Sequence, residues 1–140
     1  MNVLDNLQIE SILKDNKVKI NGIYPKNMIP RDEAIGWTIV NMQDSTDGGG
    51  THWVCFYKSP FISLYFDSFG MVAPLEIEDS IGKYIYNKKQ IQDIEDSSCG
   101  YYCIACICNV RDLSSFENFL GKFKSPKENV KLLNAFFTKN

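Results

Sequence analysis

Three residues of this 140-residue sequence have the types and surroundings for nucleophilic acyl chemistry: Cys99, His52 and Asp67. Cys99 follows the turn-forming run Asp96-Ser97-Ser98 and heads an apolar stretch reaching Val110, which reads as a helix over 99–110. A helix N-terminus presents unpaired N–H groups and the positive end of the helix dipole. Both favour a thiolate, the reactive form of cysteine. His52 is the only histidine, so any step that needs a side chain titrating near neutrality falls to it. Chemistry that needs two histidines is excluded. His52 opens a β-rich run directly after Gly48-Gly49-Gly50-Thr51, and Asp67 ends the next such run. An antiparallel hairpin sets the start of one strand beside the end of the following one. His52 and Asp67 are therefore expected neighbours, with the carboxylate orienting the imidazole and stabilising its cation. Gln92, seven residues before Cys99, can donate its amide N–H to a developing oxyanion, with the Cys99 backbone N–H as a second donor. Gln90 stands as the competing assignment. Singly, each residue also has an ordinary reading: a packed cysteine, a surface histidine, a turn aspartate in Asp67-Ser68-Phe69-Gly70. Their combination is what points to catalysis.

These residues need elements to hold them. Residues 3–14 place Leu4, Leu7, Ile12 and Leu13 near helical spacing. Residues 20–36, with Gly22, Pro25, Pro30 and Gly36, read as a long irregular connection. A strand is expected over 37–41 and a loop over 44–50. Strands over 52–57 and 61–67 are joined through Lys58-Ser59-Pro60. Residues 75–86 read as a helix, with Leu75, Ile77, Ile81 and Tyr84 or Ile85 inward, and 90–92 as a short strand. Two helices follow the central one. Their starts are signalled by the capping-box patterns Ser114-Ser115-Phe116-Glu117 and Ser125-Pro126-Lys127-Glu128. The second, over 126–138, carries Val130, Leu133, Phe136 and Phe137 on one side. Helices at both ends of a β-rich centre predict one α+β domain over residues 1–140, with a mixed, mostly antiparallel sheet flanked by helices.

The order His, Asp, Gln, Cys resembles a known family. The segments that carry the likeness are Gly49-Gly50-Thr51-His52-Trp53, Tyr65-Phe66-Asp67-Ser68-Phe69-Gly70, and Gln92 through Ser98-Cys99-Gly100-Tyr101-Tyr102-Cys103. The sequence is similar to the adenovirus maturation protease (adenain) and, more distantly, to the proteases of SUMO and other ubiquitin-like modifiers. The resemblance implies a papain-like, circularly permuted core with the nucleophile at the N-terminus of the central helix. It implies Cys99 as nucleophile, His52 as base, Asp67 as its orienting acid and Gln92 in the oxyanion hole. It further implies an endopeptidase that cleaves viral capsid or core precursors at glycine-containing sites, encoded by a small DNA virus or virophage. Its place would be the virion and the host cytoplasm or nucleus. Removal of ubiquitin-like modifiers, acyl transfer by an effector on the same fold, and a non-enzymatic interaction domain are the rival functions.

Composition is consistent with a globular domain: 44% hydrophobic, 13% aromatic and 23% charged residues. Fifteen basic and seventeen acidic residues leave a net charge of −2, which excludes a strong general electrostatic field for nucleic acid and leaves a local basic patch open. No apolar run reaches the roughly 20 residues of a membrane helix. The N-terminus lacks the pattern of a signal peptide. A reducing compartment follows, with Cys55, Cys99, Cys103, Cys106 and Cys108 as thiols. Cys99, Cys103 and Cys106 share one helical face; they read as small apolar packing rather than a zinc site, which favours ligands brought together by turns. No metal or organic cofactor is expected. In adenain a cysteine in the region between the two motifs tethers an activating peptide; here no cysteine lies between Cys55 and Cys99. Neither that peptide nor a DNA cofactor is expected, and the chain is expected to be a monomer.

Overall fold

The computed structural model describes residues 1–31, 34–43 and 52–138. It is an α+β structure built on one five-stranded mixed sheet with strand order β1-β2-β3-β4-β5. The strands are β1 (Gly22–Pro25), β2 (Gly36–Asn41), β3 (Trp53–Lys58), β4 (Ser63–Phe66) and β5 (Tyr84–Tyr86). The two central pairings, β2–β3 and β3–β4, are antiparallel; the outer ones, β1–β2 and β4–β5, are parallel. The helices are α1 (Asn6–Asp15), α2 (Leu75–Ile81), α3 (Cys99–Asn109), α4 (Leu113–Gly121) and α5 (Pro126–Phe137).

The period-2 alternation of the strands divides the apolar residues between two layers. Trp53 and Cys55 of β3, and Leu64 and Phe66 of β4, face a large core shared with α1, α3, α4 and α5. Val54, Phe56 and Tyr65, on the opposite face, meet Ile77 and Ile81 of α2 in a smaller one. Helix α3 lies in the large core with Tyr102, Cys103, Ile104, Ala105, Cys106 and Ile107 buried. An almost charge-free helix can be placed only there.

Several elements differ from the sequence expectation. The 20–36 segment contains strand β1 and a 3-10 turn at Lys26–Met28 rather than only irregular chain. Gly22 and Pro25 read as breakers, yet β1 is an edge strand, where a residue without an N–H is tolerated. The expected helix over 75–86 ends at Ile81 because Gly82 takes φ +67°, and Tyr84–Tyr86 becomes strand β5. Leu75 and Leu7 face solvent, while Ile77 and Ile81 of α2 and Ile9 and Leu13 of α1 are buried. Residues 90–92 form no strand; Ile91 and Gln92 donate their N–H groups to the Ser68 carbonyl instead. Helix α4 is capped by Asp112 reciprocally with Ser115, two residues before the Ser114 pattern. The carboxylate begins the helix first. Pro126 opens α5 as expected, but the Ser125 hydroxyl bonds the Glu128 carboxylate rather than a backbone N–H. The expected loop over 44–50 lies outside the described residues.

The chain between β4 and α2 turns through Asp67-Ser68-Phe69-Gly70, closed by the Gly70 N–H on the Asp67 carbonyl at 2.7 Å. Gly70 sits at φ +76°, and a Cβ there would lie 2.7 Å from the Lys89 backbone carbon. Left-handed backbone and close approach both demand glycine. Gly70→Ala is expected to destabilise the fold by about 2 kcal/mol or more, measured by chemical denaturation; an unchanged midpoint would show that the turn is not under this constraint.

Candidate active site

His52 and Asp67 lie just outside the ends of the β3–β4 pairing, whose register sets Cys55 opposite Phe66. The two strands bring their side chains together as the hairpin argument expects. His52 Nε2 is 2.8 Å from Asp67 Oδ1. The same oxygen accepts the Phe69 N–H at 2.8 Å. The Asn87 side chain grips the Asp67 backbone from both sides, accepting its N–H at 3.2 Å and donating to its carbonyl at 2.7 Å. The Asp67 side chain is 3% exposed and that of His52 18%. Phe69 lies against the imidazole with ring centroids 4.7 Å apart. The carboxylate is thus held rigidly, and it holds the ring.

Cys99 is the first residue of α3 and is buried. The preceding turn is organised by Asp96, whose Oδ1 accepts both the N–H and the hydroxyl of Ser98. Ser98 makes no side-chain cap to the helix, so no N-cap hydroxyl fills the space in front of its first turn. The Trp53 N–H points at Cys99 Sγ from 3.4 Å. Gly100 lets the neighbouring chain approach: a Cβ there would meet Leu4 Cδ1 at 3.2 Å and Trp53 Cδ1 at 3.4 Å. The Trp53 indole N–H in turn donates to the Leu4 carbonyl at 2.8 Å. The N-terminal segment therefore fixes the Trp53 ring directly beside the start of α3.

With Nε2 turned to Asp67, the buried Nδ1 is the ring nitrogen left for Cys99, with which the imidazole also interacts. It is the nitrogen left to receive a proton from the thiol. Burial lowers the His52 pKa, but the hydrogen bond it donates to Asp67, its interaction with Cys99 and their electrostatic pull outweigh it, and the imidazole is pushed up to about 9. Gln92 is 1% exposed. Its Nε2 donates to the Asp96 carbonyl at 2.6 Å, and its Oε1 accepts from Ser68 Oγ at 2.5 Å. This places the Gln92 amide against the turn that leads into Cys99. Gln90 is exposed, and its amide donates to the Gln92 carbonyl. Of the two glutamines, Gln92 is the one the fold buries beside that turn.

The other thiols differ in kind. Burial pushes those of Cys55, Cys103 and Cys106 up, which keeps them protonated under α3. Cys108 is exposed. Among the described residues no group of three or more His, Cys, Asp or Glu side chains is arranged to hold a metal ion. Ser68 and Asn87 escaped the sequence reading; both act through contacts made only when the 87–92 segment folds back on the Asp67 turn.

No family model matches the chain, and no curated protein matches it. Five chains of solved structures match. One is the crystal structure of the ASFV pS273R protease, with a TM-score of 0.47 and 19% sequence identity. The match covers 70% of this chain and 43% of that one, so the chain spans less than half the length of that protein.

Because His52 is the only histidine, its titration can be read from one imidazole signal by NMR. The midpoint is expected near 9 and should fall toward 6.5 in Asp67→Ala. The sign for stability follows. A pKa raised on folding stabilises the native state fully below about 6.5, and that contribution is lost as pH rises through about 9. A wild-type midpoint at 6.5, or one indifferent to Asp67→Ala, would contradict the contact.

Proposed function

We propose that this chain is a cysteine endopeptidase of the adenain-like type, with Cys99 as nucleophile. The observation that carries the reading is the placement of His52, bonded through Nε2 to Asp67 and interacting on its ring with Cys99 at the start of α3.

In this mechanism the Sγ proton rests on Nδ1 as a thiolate–imidazolium pair, and the thiolate attacks the scissile carbonyl carbon. The oxygen gains the electron pair and is held by a Gln92 Nε2–H and the Cys99 N–H. The imidazolium returns its proton to the leaving amine as the C–N bond breaks. Water, deprotonated by His52, then attacks the thioester, and the thiolate leaves as the acid is released. Asp67 stabilises the imidazolium throughout and does not itself exchange the proton. Activity should fall on the alkaline side as His52 loses its proton. The reading extends to precursor proteins of a viral capsid or core as substrates, cut at glycine-containing sites, without metal or activating cofactor, by a monomer in the virion or infected cell.

Incubation of the protein with candidate structural precursors, followed by mapping of new termini, tests the substrate. Cys99→Ala is expected to abolish cleavage with the fold retained by circular dichroism; wild-type cleavage by that variant would end the assignment. Gln92→Ala is expected to lose about 10²-fold in kcat. The same loss from Gln90→Ala with none from Gln92→Ala would move the donor to Gln90.

A further inference from the structure

A primary amide has two unlike ends, and only the nitrogen can stabilise an oxyanion. An amide turned the other way would present oxygen to oxygen. In Gln92 two neighbours settle the orientation. The Asp96 carbonyl accepts only, so the atom 2.6 Å from it is Nε2. At the other end, Ser68 Oγ lies 2.5 Å from Oε1 and donates its proton there. Both side chains are buried, Ser68 completely. One Nε2 hydrogen is used on Asp96 and the second remains.

Ser68 also holds the same segment through its main chain. Its carbonyl accepts the Ile91 N–H at 2.8 Å and the Gln92 N–H at 2.9 Å. Since Ser68 directly follows Asp67, a single residue joins the acid that orients His52 to the glutamine facing the Cys99 turn. We propose that Ser68 is a positioning residue: its hydroxyl locks the Gln92 amide with nitrogen toward the Asp96–Cys99 turn, and so sets the strength of oxyanion stabilisation. This rests on the cysteine-hydrolase reading with Gln92 as donor.

Two probes separate the roles. p-Nitrophenyl acetate acylates a cysteine through a tetrahedral oxyanion and releases p-nitrophenolate. Iodoacetamide alkylates the same sulfur by displacing iodide, and no oxyanion forms. Wild type, Ser68→Ala, Gln92→Ala and the double variant are compared with both, with modification of Cys99 followed by peptide mapping because Cys108 is exposed. Ser68→Ala is expected to slow acylation about tenfold and to leave alkylation of Cys99 unchanged. In the Gln92→Ala background it is expected to add nothing. Equal slowing of both reactions, or the same factor in both backgrounds, would overturn the positioning role while leaving the hydrolase reading intact. An unchanged acylation rate in Gln92→Ala would remove the donor and Ser68's role together. Release of p-nitrophenolate by Cys99→Ala at the wild-type rate would instead refute the hydrolase reading itself. If Ser68→Ala does not fold, Ser68→Cys, a weak donor of similar size, carries the same comparison.

Discussion

A carboxyl group nearly sealed from water must have its oxygens bonded, and the arrangement around Asp67 follows from that requirement. Its Oδ1 receives the His52 ring and the Phe69 N–H, so the turn that satisfies the acid is the turn that aims it. That turn closes only with glycine at position 70, pressed against the Lys89 backbone. The pressure brings the 87–92 segment alongside, and Asn87 and Ser68 stitch it in place. Asn129 of α5, fully buried, ties the far side of the same segment through the Ile91 carbonyl. A helix with no residue in the site thus contributes to its rigidity, as supporting contacts behind functional groups commonly do.

The other half of the site is built by close packing rather than by polar satisfaction. Strand β3 contributes His52 at its mouth and Trp53 as its first residue, and alternation sends the Trp53 ring toward α3. Gly100 removes the side chain that would keep that ring and Leu4 away. The result sets an N–H against the Cys99 sulfur. The thiols beneath α3 fill space without competing, because burial holds them protonated.

Much of this was legible in the residues. The lone histidine, the acid at the hairpin's end and a cysteine at a helix start needed only strand and helix geometry to be placed together. The spacing of Gln92 from Cys99 indicated a residue near the turn; that Gln92 is buried there while Gln90 is exposed is something pattern alone does not encode. Ser68 and Asn87 were invisible because their partners lie 24 and 20 residues away, across a segment whose path is irregular. Strand β5 was hidden in an apparent helix: Tyr84 and Ile85 continue the apolar spacing of Ile77 and Ile81, and only the conformation of Gly82 separates the two periods. Strand β1 was masked by Gly22 and Pro25, which an edge position accommodates. The pattern at Ser114 lost to Asp112, since a nearby carboxylate and Ser115 satisfy each other first.

The contact of Leu4 with Gly100 and Trp53 joins the first residues of the chain to its second half. On a ribosome, where chains emerge N-terminus first, residues 1–5 have no docking surface until α3 has been synthesised. Cys99, His52 and Trp53 therefore come into register only once residues 99–109 have been made.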